Sequence, residues 1–265
     1  LGTLHYFSGD HAQARALYDR ALALARAADD HRWIGGVLGN LALLRQAEGE
    51  PEQALAAFEE ALALAQRIGD RQWEGNNRSN YALLQHELGR SRAAADQLEQ
   101  ALRIAREIGH ARLERLVLCN CGIVLSALGE HGPARASLEQ AVTLSVAAGD
   151  QHAEATFRGY LALEWARHGD AATGESEAAR AIAQMRAVDD PSALALLLAQ
   201  GGVVAASAAE PALAAARAAE SRRLLAGPGA GNRAECLPLL EEAESIAAAI
   251  RPTAASQSVL TITGS

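Results

Sequence analysis

The chain has 265 residues, of which 49% are apolar and 4% aromatic, and a formal net charge of −8; this much apolar side chain excludes wholesale disorder. All 24 basic residues are arginine, which removes the lysine of a P-loop, of a kinase site and of a Schiff base. Residues 1–150 hold 19 acids and 15 arginines and residues 151–265 hold 13 and 9, so no basic arm exists and nucleic acid is excluded as a partner.

Alanine and leucine dominate and alternating β-branched runs are nearly absent, which points to helices. Cys119, Cys121 and Cys236 are an odd number without a disulfide-framework spacing, as in a reducing compartment. With no span-length apolar stretch and no signal peptide, the chain reads as cytoplasmic and without a membrane partner. Because it opens on Leu1 and not on Met, it is expected to be a piece of a longer protein, with an effector domain attached on its N-terminal side.

Along the chain, five registers repeat every 40 residues. Gly9, Gly49, Gly89, Gly129 and Gly169 form one; Ala21, Ala61, Ala101, Ala141 and Ala181, each followed by an aliphatic residue, form another. Ala14, Ala54, Ala94 and Ala134 are a third, Tyr18, Phe58, Leu98 and Leu138 a fourth, and Asp30, Asp70, Asp150 and Asp190, with His110 in the remaining slot, a fifth. Five registers in phase mark an internal repeat.

Within one unit, Val37, Leu41 and Leu44 keep helical spacing up to Gly49. Pro51 then opens a second helix, whose stripe of Ala54, Leu55, Phe58, Ala61, Leu62 and Ala65 ends at Ile68 and Gly69. Two helices of roughly 17 residues, each about 25 Å long, cannot cover their own apolar faces, so stacked neighbours must do so and the product is a solenoid. Ala42, Ala82, Gly122 and Ala162 on first helices, with Ala54 and Ala61 on a second, let helix axes approach within about 8–10 Å.

Residues 1–190 therefore read as five units, the first lacking most of its first helix. Residues 191–226 read as a degenerate sixth, with Ala209 in place of the turn glycine and Ser221 in place of an alanine. A breaker loop is expected at 227–232, a closing helix at 233–250 with Leu237, Leu240, Ala243 and Ile246 on one side, and a disordered tail at 251–265.

The pattern Asn40-Leu41-Ala42, Gly49, Ala54, Phe58, Ala61-Leu62 resembles the tetratricopeptide repeat (TPR) family. A period of 40 instead of the usual, roughly 34 residues resembles its long-helix subclass, found in kinesin light chains, Pins-type adaptors and the TPR sensor regions of bacterial regulators, kinases and predicted ATPases. The resemblance implies an all-α, right-handed superhelical solenoid of antiparallel helix pairs, with first helices lining a concave face. It also implies a protein-protein interaction module without cofactor or catalysis, binding a peptide or extended segment of a partner in its groove, as part of a larger bacterial signalling or regulatory protein. The alternative it implies is a peptide-responsive regulatory receptor, the sensor domain of a transcriptional regulator or kinase.

Carried onto this sequence, the groove positions are Gly36, Asn40, Leu43 and Ala47, then Asn76, Asn80, Leu83 and Glu87, then Leu116, Asn120, Ile123 and Ala127; each set lies on one helix face. Asn40, Asn80 and Asn120 share a register although asparagine is a mediocre mid-helix residue. A carboxamide pairs with both the C=O and the N–H of an extended peptide. Helices about 10 Å apart meet a strand rising about 3.3 Å per residue roughly once every three residues. Leu43, Leu83 and Ile123 add apolar pockets. The same amide chemistry equally suits bonds to a neighbouring helix that only fix the stack.

A carboxylate clamp is not expected, because Gly39, Ser79, Cys119 and Leu43, Leu83, Ile123 fill its places. In His86-Glu87-Leu88-Gly89-Arg90, the arginine stands where a zincin has its second histidine. Cys119 and Cys121 point about 200° apart on a helix, and Gly227–Gly231 follows no strand. Neither a metal site nor an enzyme is expected. Trp33 and Trp73, 40 apart, pack between units or anchor a ligand at the groove edge.

Overall fold

The computed structural model describes residues 2–7, 9–227 and 233–250; most of the expected breaker loop, from residue 228, and the expected tail at 251–265 lie outside them. The described residues form helices and short turns, with no strand among them. The helices are α1 (Gly2–Phe7), α2 (His11–Ala27), α3 (His31–Ala47), α4 (Pro51–Ile68), α5 (Arg71–Glu87), α6 (Ser91–Glu107) and α7 (Ala111–Ala127). They continue with α8 (His131–Ala147), α9 (Gln151–Arg167), α10 (Ala171–Val188), α11 (Pro191–Ser207), α12 (Pro211–Leu225) and α13 (Arg233–Ile250).

The aspartate register is a capping register. Asp30, Asp70, Asp150 and Asp190 each accept the backbone N–H three residues on, at 3.0–3.1 Å. His110 does the same through Nδ1, from the Leu113 N–H at 3.1 Å. Every first helix from α3 to α11 thus has one of its orphan N–H groups satisfied by the residue before it. At the turn between paired helices the backbone enters the left-handed region, at Gly49 with φ 77°. Ala209 makes the same turn with φ 59°, which costs an L-residue with a Cβ about 1–2 kcal/mol.

Packing follows the other registers. Ala14, Ala54, Ala94 and Ala134 are completely buried, and Tyr18, Phe58, Leu98 and Leu138 fill the space between helices. The approach is close enough that a Cβ on Gly122 would collide with the Leu138 side chain. Ion pairs also link successive repeats, among them Arg26–Glu60 at 3.0 Å and Arg92–Glu130 at 2.9 Å. They are exposed and contribute about 0–1 kcal/mol each, so the apolar columns hold the stack.

The chain divides into two compact units, Leu1–Phe157 and Arg158–Ser265. In unit 1 the first helices α3, α5 and α7 touch one another in sequence as well as packing on their partners, which makes them the inner line of that stack. In unit 2, α11 is packed by α10, α12 and α13 and is buried from Ala195 to Ala206 without interruption, as a helix apolar on all sides must be. Cys236, Leu240 and Ala243 of α13 are buried with it.

Candidate functional site

The inner helices of unit 1 carry the asparagine register, and its three members are not equivalent. Asn40 on α3 and Asn80 on α5 are half-buried, and their carboxamides have no hydrogen bond among the described residues. Asn120 on α7 is 5% exposed, and its Nδ2 donates to Ser79 Oγ at 2.9 Å. Two members of the register thus present open amides, and the third is committed to the stack. The reason lies one position earlier in the preceding repeat: Ser79 offers Asn120 a hydroxyl, whereas Gly39 has no side chain to offer Asn80.

The other expected contacts differ in accessibility. Leu43, Leu83 and Ile123 are half-buried, and Leu43 rests on the core around Phe58 and Tyr81. Asn76 Nδ2 donates to the Gln72 carbonyl of its own helix at 3.0 Å. Glu87 is exposed and accepts from Gln46 Nε2 at 2.7 Å, a tie between α3 and α5.

Two cavities open on this helix line. The smaller, of about 340 Å³, is lined by Arg32, Trp33, Gly36, Val37 and Asn40 of α3 and by Trp73 of α5. Trp33 is 68% exposed. Trp73 slides under α3 because residue 36 is glycine; a Cβ there would lie 3.1 Å from the indole ring. Asp70 orders the edge of this cavity, accepting the Trp73 N–H at 3.0 Å and pairing with Arg32 Nε at 3.2 Å. The two tryptophans thus take different parts, one wedged between successive repeats of unit 1 and one left outside.

The larger cavity, of about 670 Å³, lies between α5, α7 and the start of α9, with Gln72, Asn76, Arg112, Arg115, Leu116 and Thr156 in its wall. Asn76 and Leu116 belong to the groove register chosen from the sequence, but Gln72, Arg112 and His152 escaped it, because with Arg32 they form a column of their own, again 40 residues apart.

Behind this surface Glu74, 4% exposed, takes hydrogen bonds from Gln66 at 3.1 Å and from Arg78 and pairs with Arg71. Burial works against its ionisation, but the hydrogen bonds from Gln66 and Arg78 and the charges of Arg78 and Arg71 outweigh it and hold the carboxyl below the usual carboxylate range. Burial pushes the Cys121 thiol up to about 12 and the Cys236 thiol up to about 11, so both stay protonated at neutral pH and neither is a ready nucleophile.

The tetratricopeptide repeat family model matches residues 33–107. No curated protein matches the sequence. Among solved structures, BtubC from P. vanneervenii is similar at 24% identity and TM-score 0.66, over 80% of this chain and 89% of that one. A signal transduction ATPase with a tetratricopeptide repeat sensor, from Pyrococcus horikoshii, is similar at 19% identity and TM-score 0.65, over 89% of this chain and 36% of that one. A Rap protein complexed with Competence and Sporulation Factor is similar at 15% identity and TM-score 0.67, over 94% of this chain and 74% of that one. The tetratricopeptide repeat is thus matched over residues 33–107, and the chain shares its fold with these structures over 80–94% of its length.

Proposed function

We propose that unit 1 is a non-catalytic interaction module that holds an extended peptide segment of another protein along α3, α5 and α7. Asn40 and Asn80 pair with the backbone of that segment, and the cavity between Trp33 and Trp73 takes one of its apolar side chains. The observation that carries this reading is the juxtaposition of a 68% exposed tryptophan with the open carboxamide of Asn40 on the wall of one cavity. An aromatic anchor buried by a ligand, beside a donor and acceptor pair that suits any peptide backbone, is the arrangement that concentrates binding energy.

The test is titration of the full chain with peptides selected from a phage-displayed random library. Trp33→Ala, and Asn40→Ala with Asn80→Ala, are each expected to weaken binding by about tenfold or more, the scale of a lost anchor, while the melting temperature is unchanged. Failure to select any binder, or variants that bind as well as the parent, defeats the reading.

A regulatory form of the same reading draws support from the similar Rap protein, solved with Competence and Sporulation Factor bound, and from the sensor named in the similar ATPase. There the segment is a free peptide whose binding changes the pitch of the stack. Small-angle scattering with and without the selected peptide decides it, an unchanged radius of gyration counting for a rigid scaffold.

A further inference from the structure

The larger cavity of unit 1 carries charge that nothing in its wall neutralises. Two guanidinium groups, Arg112 and Arg115, face it together with one carboxylate, Asp150. Both Asp150 oxygens are already in use, Oδ1 accepting the Ala153 N–H at 3.1 Å and Oδ2 accepting Arg115 Nη2 at 2.8 Å. Arg115 is 7% exposed, and its Nε–H has no acceptor among the described residues. Arg112, one turn earlier on α7 and exposed, has no carboxylate partner among them. The wall therefore carries an excess of cationic donors, in a chain whose total charge is −8.

The remaining polar groups do not supply the missing anion. The Thr156 hydroxyl donates to the His152 carbonyl at 2.9 Å, and Asn76 Nδ2 is held by the Gln72 carbonyl. A guanidinium is a planar fork that fits a carboxylate through two parallel hydrogen bonds. One turn beyond Arg112 stands Leu116, 40% exposed, an apolar rest for the methylenes that carry such a carboxylate.

We infer that this cavity receives an acidic side chain of the bound segment, so that the partner presents an Asp or Glu at a set distance from the apolar residue seated between Trp33 and Trp73. The inference rests on the groove reading above and names its partner's chemistry. Helix α5 separates the two cavities, with Trp73 on one side and Gln72 and Asn76 on the other. One helix spacing, about 10 Å, corresponds to about three or four residues of extended chain, which sets the expected separation of the two side chains.

The experiment selects a phage-displayed random library on the full chain and measures synthetic, C-terminally amidated peptides by titration. The expected result is enrichment of Asp or Glu about three or four positions from an aromatic or aliphatic residue. Arg112→Ala is expected to weaken binding about tenfold, as is Gln for Glu in the peptide, with no further loss when the two are combined. Arg112→Glu is expected to restore binding to a peptide with Arg at that position. Arg112 is exposed, so an unchanged helical circular dichroism spectrum should accompany each variant. Three results overturn the inference: binders without an acidic residue, binders lost on amidation (which assigns the cavity to a chain terminus), or Arg112 variants that bind like the parent. If no binder is selected at all, the groove reading itself falls.

Discussion

Asn80 and Asn120 occupy the same register and have opposite fates, and the difference is worth measuring. Ser79→Ala leaves the buried Asn120 Nδ2 without its acceptor, which should destabilise unit 1 by about 1–3 kcal/mol. Asn80→Ala removes no hydrogen bond and should fall within about 0.5 kcal/mol of the parent; denaturant midpoints of the two variants check this. At Glu74 the folded carboxyl lies below its ordinary range. The stabilisation is therefore fully present above the unfolded value of about 4.3 and is lost as the pH falls through the lower folded value. Glu74→Gln should flatten the acid side of the stability profile, read as unfolding midpoint against pH from about 6 downward.

Ala209 is the element-scale case of a rule kept at a cost. Helices α11 and α12 are joined through the same left-handed turn that glycine makes elsewhere in the chain, at φ 59°. Ala209→Gly removes a strain of about 1–2 kcal/mol and adds about 0.5–1 kcal/mol of unfolded-state entropy. It should therefore stabilise unit 2 by about 0.5–1 kcal/mol, visible as a raised thermal midpoint. The repeat's helix boundaries were legible because glycine, proline and aspartate act within a few residues of one another. The sequence did not show that residue 209 would keep the turn without glycine, because neighbouring helices impose that geometry.

At the scale of the whole molecule, each unit has its own means of cohesion. Unit 1 is a regular stack of interdigitated alanines and large residues. Unit 2 joins α10, α11 and α12 through Arg217, 8% exposed, which is held by both oxygens of Glu175 at 2.6 Å and by the Gly201 carbonyl at 2.9 Å. Glu175→Ala leaves that guanidinium buried with only a carbonyl and should cost about 3–5 kcal/mol, measured as lost helical signal in a denaturant titration.

Short-range patterning settled most of the architecture without coordinates. Period, turn glycines and apolar stripes already require paired helices that bury their faces only by stacking, since both causes act locally or between identical neighbours. The candidate site was half legible. The sequence named the inner helices, Asn40 and Asn80, and marked Trp33 and Trp73 as recurrent. Tertiary structure decided that Asn120 is spent on Ser79, that Trp73 is wedged beneath Gly36 while Trp33 stands free, and that Arg112 and Arg115 share a cavity with a fully occupied Asp150. Such outcomes depend on which side chain a neighbouring helix brings within 3 Å, a distance that no spacing along one chain encodes.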